Sequence, residues 1–260
     1  MTLHTYAVFD RLLMCMSDSL TTYKNSRNQR LDTIKTVTYP LDSATWAPGQ
    51  LAAAVMTQER ATFGDTIEAC QIVYEALAGQ SFHTIKEVGV TVWQAFREHM
   101  MATCPSCERA AASYQPQPEE LPVDLQELEI GCDEGHELEV HVVGIEGPSA
   151  TPKRYARRWA PPPDLVFDVQ CLPDRTAFRS GFLVRGRQYE RESITADVTQ
   201  PFERSAAFEQ MQHWFYNTAK SSKFGLTKSV GGAIRTVIID PTAGLARLPH
   251  WTLETYGERS

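Results

Sequence analysis

The sequence predicts an α+β protein with a helical N-terminal part, a zinc-ribbon-like β module in the middle and a mixed α/β C-terminal part. Apolar residues recur at helical spacing over the first hundred residues, and this spacing changes to strand-like alternation after Val123. Two pairs of metal-ligating side chains lie at that change. A chain of 260 residues is long enough to bury a core. The predicted parts are 1–103, 104–146 and 147–260.

Three helices are predicted in the first part, because apolar side chains recur there every three or four residues. They are marked by Phe9, Leu13, Met16, Leu20 and Tyr23, by Ile67, Cys70, Val73, Tyr74 and Leu77, and by Ile85, Val88, Val92, Phe96 and Met100. Gly79 is placed to end the second helix. The polar stretch 24–50 is predicted to form loops with one short strand.

Strands dominate the prediction after Val123. Leu125 to Val142 reads as two strands joined by a tight turn at 132–136. Further strands are predicted at Leu165–Cys171, Phe182–Arg187 and Ile234–Ile239, and a helix at Glu203–Ala219. The Gln- and Pro-rich stretch 114–122 is predicted to be an exposed excursion.

Four side chains have the spacing of a zinc site. Cys104-x2-Cys107 and Cys132-x3-His136 supply the thiolates and imidazole that tetrahedral zinc prefers. Four protein ligands leave no position for water, so the predicted cofactor is one structural zinc ion. His141 remains an alternative to His136. The competing interpretation is that Cys104 and Cys107 are ordinary thiols and that His136 is a turn residue.

The two halves of the chain carry opposite charge. Residues 1–146 hold 9 Lys/Arg against 21 Asp/Glu, a net of −12, whereas residues 147–260 hold 16 against 11, a net of +5. Nine of the acids lie between Glu119 and Glu139, without one basic residue. An acidic surface repels phosphate, so this stretch favours a protein partner or simple solvation.

Two basic segments are candidates for nucleic-acid binding because cations there alternate with aromatic rings. The candidate residues are Lys153, Arg154, Arg157, Arg158, Trp159, Lys220, Lys223 and Lys228. The alternative is a solvated loop beside an aromatic core anchor.

No standard catalytic motif is present, neither a phosphate-binding loop nor a nucleophile elbow nor a His-Glu-x-x-His helix. The nearest catalytic candidate is a metal-dependent nuclease using Asp164 and Asp168, which lie on one side of a predicted strand. The chain shows no signal-peptide pattern and no apolar stretch of membrane-spanning length, so a cytoplasmic protein without membrane contact is expected.

The Cys-Pro-x-Cys and Cys-x3-His pairs resemble a zinc ribbon over residues 100–145, a module of nucleic-acid machinery and of assembly proteins. In outline the chain is similar to small subunits of bacterial or phage nucleoprotein complexes, including CRISPR-effector and transposition subunits. The leading hypothesis is a non-catalytic zinc-stabilised subunit whose basic half contacts DNA or RNA while its acidic half docks to protein. The first alternative is a structural assembly protein, such as a phage tail or baseplate component, and the second is the nuclease.

Overall fold

The computed structural model describes residues 3–9, 11–22, 29–58, 62–63, 67–113, 138–147, 150–159, 165–174, 176–181, 193–195, 204–220 and 230–258. The strands are β1 (Leu3–Phe9), β2 (Leu12–Ser17), β3 (Thr21–Thr22), β4 (Gln29–Arg30), β5 (Thr36–Tyr39), β6 (Ala52–Gln58), β7 (Thr62–Phe63), β8 (Ile67–Glu68), β9 (Leu138–Ile145), β10 (Lys153–Trp159), β11 (Leu165–Cys171), β12 (Thr176–Gly181), β13 (Ser193–Thr195), β14 (Ile234–Asp240) and β15 (Gly244–Trp251). The helices are α1 (Ala69–Leu77), α2 (Ile85–Thr103), α3 (Pro105–Ser113), α4 (Arg204–Lys220) and α5 (Leu253–Gly257), with a 3-10 turn at Ser43–Thr45.

Eleven of the fifteen strands in the described residues form two antiparallel sheets, and the other four form two short two-stranded ribbons. The first sheet has the order β13-β12-β1-β2-β14-β15, and the second has the order β11-β10-β9-β6-β5. In the first sheet Tyr6 pairs with Cys15, and Cys15 pairs with Val237. The first sheet therefore joins the start of the chain to its last strands.

Both faces of each sheet are covered, so the fold is a four-layer sandwich of helices, sheet, sheet and helices. The layer between the sheets contains Tyr6, Val8, Leu13, Met56 and Val143. The outer face of the first sheet packs on α4 and α5, and the outer face of the second packs on α1, α2 and α3. Burying each large apolar side chain stabilises the fold by about 1.5–3 kcal/mol.

Local signals fix the helices that the sequence predicted correctly. The Thr84 hydroxyl accepts a hydrogen bond from the Glu87 N–H, and the Glu87 carboxylate accepts one from the Thr84 N–H, both at 3.2 Å, so α2 begins with a capping box. α1 ends before Gly79, which has the left-handed φ of +70°. The predictions of α1, α2, α4, β11 and β14 are confirmed, as is the α+β class.

The first predicted helix is wrong. The segment from Phe9 to Leu20 contains the end of β1 and all of β2, with Arg11 at a left-handed φ of 73° in the turn between them. Every residue of β1 and of β2 is buried. A strand covered on both faces has no alternation of apolar and polar residues, so its spacing mimics a helix.

The zinc ribbon is also wrong as a local structure. Cys104 is the residue that caps the end of α2, and Cys107 lies in α3. Both thiols are buried in the helical layer behind the second sheet, and the Cys107 N–H donates to the Cys104 sulfur at 3.4 Å. A ribbon would require these cysteines in a turn between strands.

The three-part division of the chain stays a prediction. None of the helices in the described ranges is long and apolar enough to cross a membrane.

Candidate functional site

A buried ion pair lies where β2 ends and β5 begins. The Lys35 ammonium nitrogen lies 3.1 Å from both carboxylate oxygens of Asp18. The side chain of Lys35 is 4% exposed and that of Asp18 is 0% exposed. Removing two charges from water costs several kcal/mol per ion, so an ion pair at this depth is retained at a cost to stability. Such a pair is a candidate for function.

Backbone groups hold the Asp18 carboxylate in place. The Leu3 N–H donates to one carboxylate oxygen at 2.9 Å, and the Leu20 N–H donates to the other at 3.3 Å. The Lys35 ammonium also donates to the Leu20 carbonyl. Burial raises the pKa of the Asp18 carboxyl, whereas the Lys35 charge and the Leu3 N–H oppose that rise.

A tight backbone network supports the segment that carries Asp18. The N–H groups of Ser19 and Leu20 both donate to the Gly231 carbonyl, at 3.1 and 3.0 Å, and the Thr33 N–H donates to the Ser19 carbonyl at 3.1 Å. Gly232 has a φ of +71°, and a side chain there would collide with the Leu31 carbonyl. These contacts fix Asp18 and Lys35 relative to β1 and β14.

Thr2 is joined by a peptide bond to this site. Its carbonyl carbon is bonded to the Leu3 nitrogen, and that nitrogen donates to Asp18. Consecutive Cα atoms are about 3.8 Å apart, so a hydroxyl-bearing residue directly precedes the anchored backbone. Thr2 itself lies outside the described residues.

A buried histidine continues the site into the layer between the sheets. The His4 ring is fully buried, and its Nε2 lies 2.8 Å from the Thr57 carbonyl oxygen. The pKa of His4 is lowered to about 3, mainly by burial; the Thr57 bond opposes this shift, and the neighbouring His141 and Lys35 add to it. The ring is therefore neutral and donates its Nε2 proton to Thr57.

The depressed pKa of His4 predicts a loss of stability in mild acid. Between pH 7 and pH 5 the unfolded chain binds a proton at this residue, with a pKa near 6.5, while the folded chain does not. The free energy of unfolding should therefore fall by about 2 kcal/mol from this group. Urea titrations at both pH values measure it. His4→Gln should lack this part of the pH dependence, and an equal slope in both proteins would contradict the prediction.

Comparison with known proteins places the fold. No protein-family model and no curated protein match the sequence. A solved structure described as an Anbu (Gly-1) mutant from Hyphomicrobium sp. strain MC1 is similar, with a TM-score of 0.55 and 13% identity, over 97% of this chain and 87% of that one. Anbu (ancestral beta-subunit) from Yersinia bercovieri gives a TM-score of 0.54 and 12% identity, over 99% of this chain and 94% of that one. At these identities the likeness concerns the fold alone.

The predicted zinc-stabilised nucleic-acid-binding subunit is wrong. The chain shares the fold of Anbu, and β10, a strand of the second sheet, carries most of the first basic segment. Arg154 is buried and donates to the Tyr6 hydroxyl at 2.7 Å, Lys153 pairs with Glu146, and the Arg157 guanidinium lies 5.2 Å from the Trp93 ring centre. These cations are used by the fold.

The remaining basic candidates give no surface for phosphate within the described residues. The side chains of Arg158 and Trp159 are outside them, as are Lys223 and Lys228. Lys220 ends α4 and donates to the Tyr216 hydroxyl. The nuclease candidates Asp164 and the Asp168 side chain also lie outside the described part.

Two of the four proposed zinc ligands lie within the described residues. Cys104 and Cys107 lie together, whereas Cys132 and His136 are outside the described residues. The alternative ligand His141 lies in β9, where it contacts Glu139. No group of three metal-ligating side chains occurs among the residues that the structure describes. The expectation of a bound zinc ion stays a prediction.

Sequence reasoning missed the Asp18–Lys35 pair and its link to Thr2. The pair has no local motif, because 17 residues separate its members. A threonine directly before an apolar segment, followed by an acid directly after the next apolar segment, was the available signal.

Proposed function

We propose that this chain is an amide hydrolase whose nucleophile is the hydroxyl of Thr2, made the amino-terminal residue by cleavage of the bond that precedes it. The observation that carries the proposal is the buried Asp18–Lys35 pair, tied at 2.9 Å to the Leu3 nitrogen. A threonine hydroxyl is a weak nucleophile, and the free α-amino group of the same residue is a suitable base for it. An α-amine has a pKa of about 7.7, close to neutral pH.

Each group has a defined role in the proposed reaction. The α-amine of Thr2 takes the hydroxyl proton while the hydroxyl oxygen attacks the carbonyl carbon of the substrate amide. The carbon–nitrogen bond of the substrate then breaks, the amine leaves with that proton, and an ester to Thr2 remains. Water attacks the ester, releases the carboxylic acid and restores the hydroxyl.

Lys35 and Asp18 support this reaction by electrostatics. A fixed ammonium stabilises negative charge that develops on the attacking oxygen, and a low-dielectric site strengthens this effect. The positive charge of Lys35 also favours the neutral, proton-accepting form of a nearby amine. Asp18 holds Lys35 by two hydrogen bonds and keeps its charge compensated between reactions.

A groove along the segment that carries Lys35 has room for a substrate. Its volume is about 460 Å³, and Ile34 and Thr36, which flank Lys35 in sequence, line it. Arg235, Arg247 and Tyr74 of α1 also line it. A groove lined by apolar side chains and two arginines suits an acyl group or peptide that carries a carboxylate.

A reactive lactone tests the proposed nucleophile without knowledge of the natural substrate. A small aliphatic β-lactone acylates a hydroxyl by ring opening, so one molecule should add its full mass to the folded chain. Tandem mass spectrometry should place the adduct on an amino-terminal Thr2. Protein unfolded in urea is the control and should remain unmodified. A folded chain that begins at another residue and takes up no lactone would refute the proposal.

The same fold supports a second element of the proposal, assembly with protein partners. One similar structure is described as an ancestral beta-subunit, and this chain exposes Leu31 and Tyr74 by 58% and 56%. We therefore expect the purified chain to associate, with a mass by light scattering of at least twice the monomer's 29.2 kDa. A monomer at all concentrations up to about 100 μM would argue against self-assembly.

A further inference from the structure

A ring of hydrogen bonds connects the ion pair to both sheets. Leu3 donates to Asp18, and Lys35 donates to the same carboxylate. The Thr57 N–H donates to the Lys35 carbonyl at 3.0 Å, and the Thr57 carbonyl accepts from the His4 ring at 2.8 Å. His4 follows Leu3 in the chain, so the ring closes. Its members come from β1 and the residue after β2 in the first sheet, from β6 in the second, and from the segment that leads into β5.

Apart from the ion pair, the only side chain of this ring that reaches from one sheet to the other is that of His4. The His4 Nε2 atom must donate its proton to Thr57, because a carbonyl oxygen can only accept a hydrogen bond. The other ring nitrogen, Nδ1, is buried and has no hydrogen-bond partner among the described residues. A neutral imidazole therefore presents one unused acceptor two residues from Thr2.

We propose that His4 is a positioning residue of the Thr2 site, which sets the place of Lys35 by clamping the end of β6 to β1. This inference rests on the proposed function for its effect on rate, although the clamp itself is independent of it. Without the His4 donor, the Thr57 carbonyl loses its partner and the Thr57 N–H is freer to release the Lys35 backbone. Lys35 would then sample positions away from Asp18.

Two side chains of similar length separate the hydrogen bond from simple filling of space. His4→Gln keeps an N–H donor at the place of Nε2, whereas His4→Met fills the site without a donor. The rate of lactone addition to Thr2 is measured over a range of lactone concentrations, at a temperature where circular dichroism shows each protein folded. The maximal rate constant should fall about 10- to 100-fold in His4→Met, because small displacements of a catalytic group have effects of this size. The half-saturating concentration should stay within about threefold, and His4→Gln should remain within about threefold of the parent protein in both.

Amide hydrogen exchange tests the contact between His4 and Thr57 independently of the acylation of Thr2. The Thr57 amide should exchange at least about tenfold faster in His4→Met than in the parent protein, while His4→Gln keeps the slow exchange. If the parent chain takes up no lactone at Thr2, the proposed function fails and this exchange still decides the clamp. Should His4→Met not fold, His4→Asn, whose donor is too short to reach Thr57, replaces it. Equal Thr57 exchange in the donor and non-donor variants, or equal maximal rates, would overturn the proposal.

Discussion

Lys35→Met is expected to lower the rate of Thr2 acylation by about 10²- to 10³-fold, which is the usual effect of removing one preorganised electrostatic group. It should also lower the free energy of unfolding by about 3–5 kcal/mol, because Asp18 is left buried without its counter-charge. Lactone addition followed by mass spectrometry measures the first effect. Urea titration measures the second.

A double variant separates the reaction from the fold. Asp18→Asn combined with Lys35→Met removes both charges, and the asparagine oxygen can still accept the Leu3 N–H. Replacing a buried pair by neutral side chains is often neutral for stability, so the double variant should regain most of the lost free energy. Its acylation rate should stay low. A double variant that is both stable and as fast as the parent protein would show that the pair only supports the fold.

Much of the secondary structure could be predicted because its signals are local. The capping box of Thr84 and Glu87 and the helical spacing that follows it lie within one segment, and this is enough to define α2. The run from Ile234 to Ile239 is short and rich in branched residues, and it forms β14 as expected. Neither prediction depends on a distant part of the chain.

The start of the chain could not be predicted in this way. Leu12–Ser17 lies between two other strands and between two layers, so all of its residues are buried. Its apolar residues do not indicate which strands pair with it or which layers cover it. The basic strand Lys153–Trp159 was misjudged for a related reason. Arg154 meets the Tyr6 hydroxyl, 148 residues away in sequence, and this contact depends on the packing of the two sheets.

The candidate site was missed because long-range pairing creates it. Asp18 and Lys35 are unremarkable as sequence letters, and their contact requires the β1–β2 hairpin and the network around Gly231. The spacing of Cys104 and Cys107, by contrast, led to the wrong prediction of a ribbon. Two thiols three residues apart also fit the junction of two helices.

Thr2→Ala is expected to abolish lactone addition and amide hydrolysis, with a loss of at least about 10³-fold, because removal of a nucleophile leaves no group that can form the ester. The free energy of unfolding should change by less than about 0.5 kcal/mol, since the ion pair and the Leu3 N–H bond remain. Thr2→Ser keeps the hydroxyl and should keep a measurable rate.

Thr5→Ala is the matched control for Thr2→Ala. Thr5 lies in β1 and pairs with Met16, whose side chain belongs to the core between the first sheet and its helices. Its hydroxyl is therefore on the face of β1 away from the second sheet. Acylation of Thr5→Ala, measured on the folded fraction, should equal that of the parent protein. If Thr2→Ala takes up the lactone as fast as Thr5→Ala does, Thr2 is not the nucleophile, and the Asp18–Lys35 pair must serve another role.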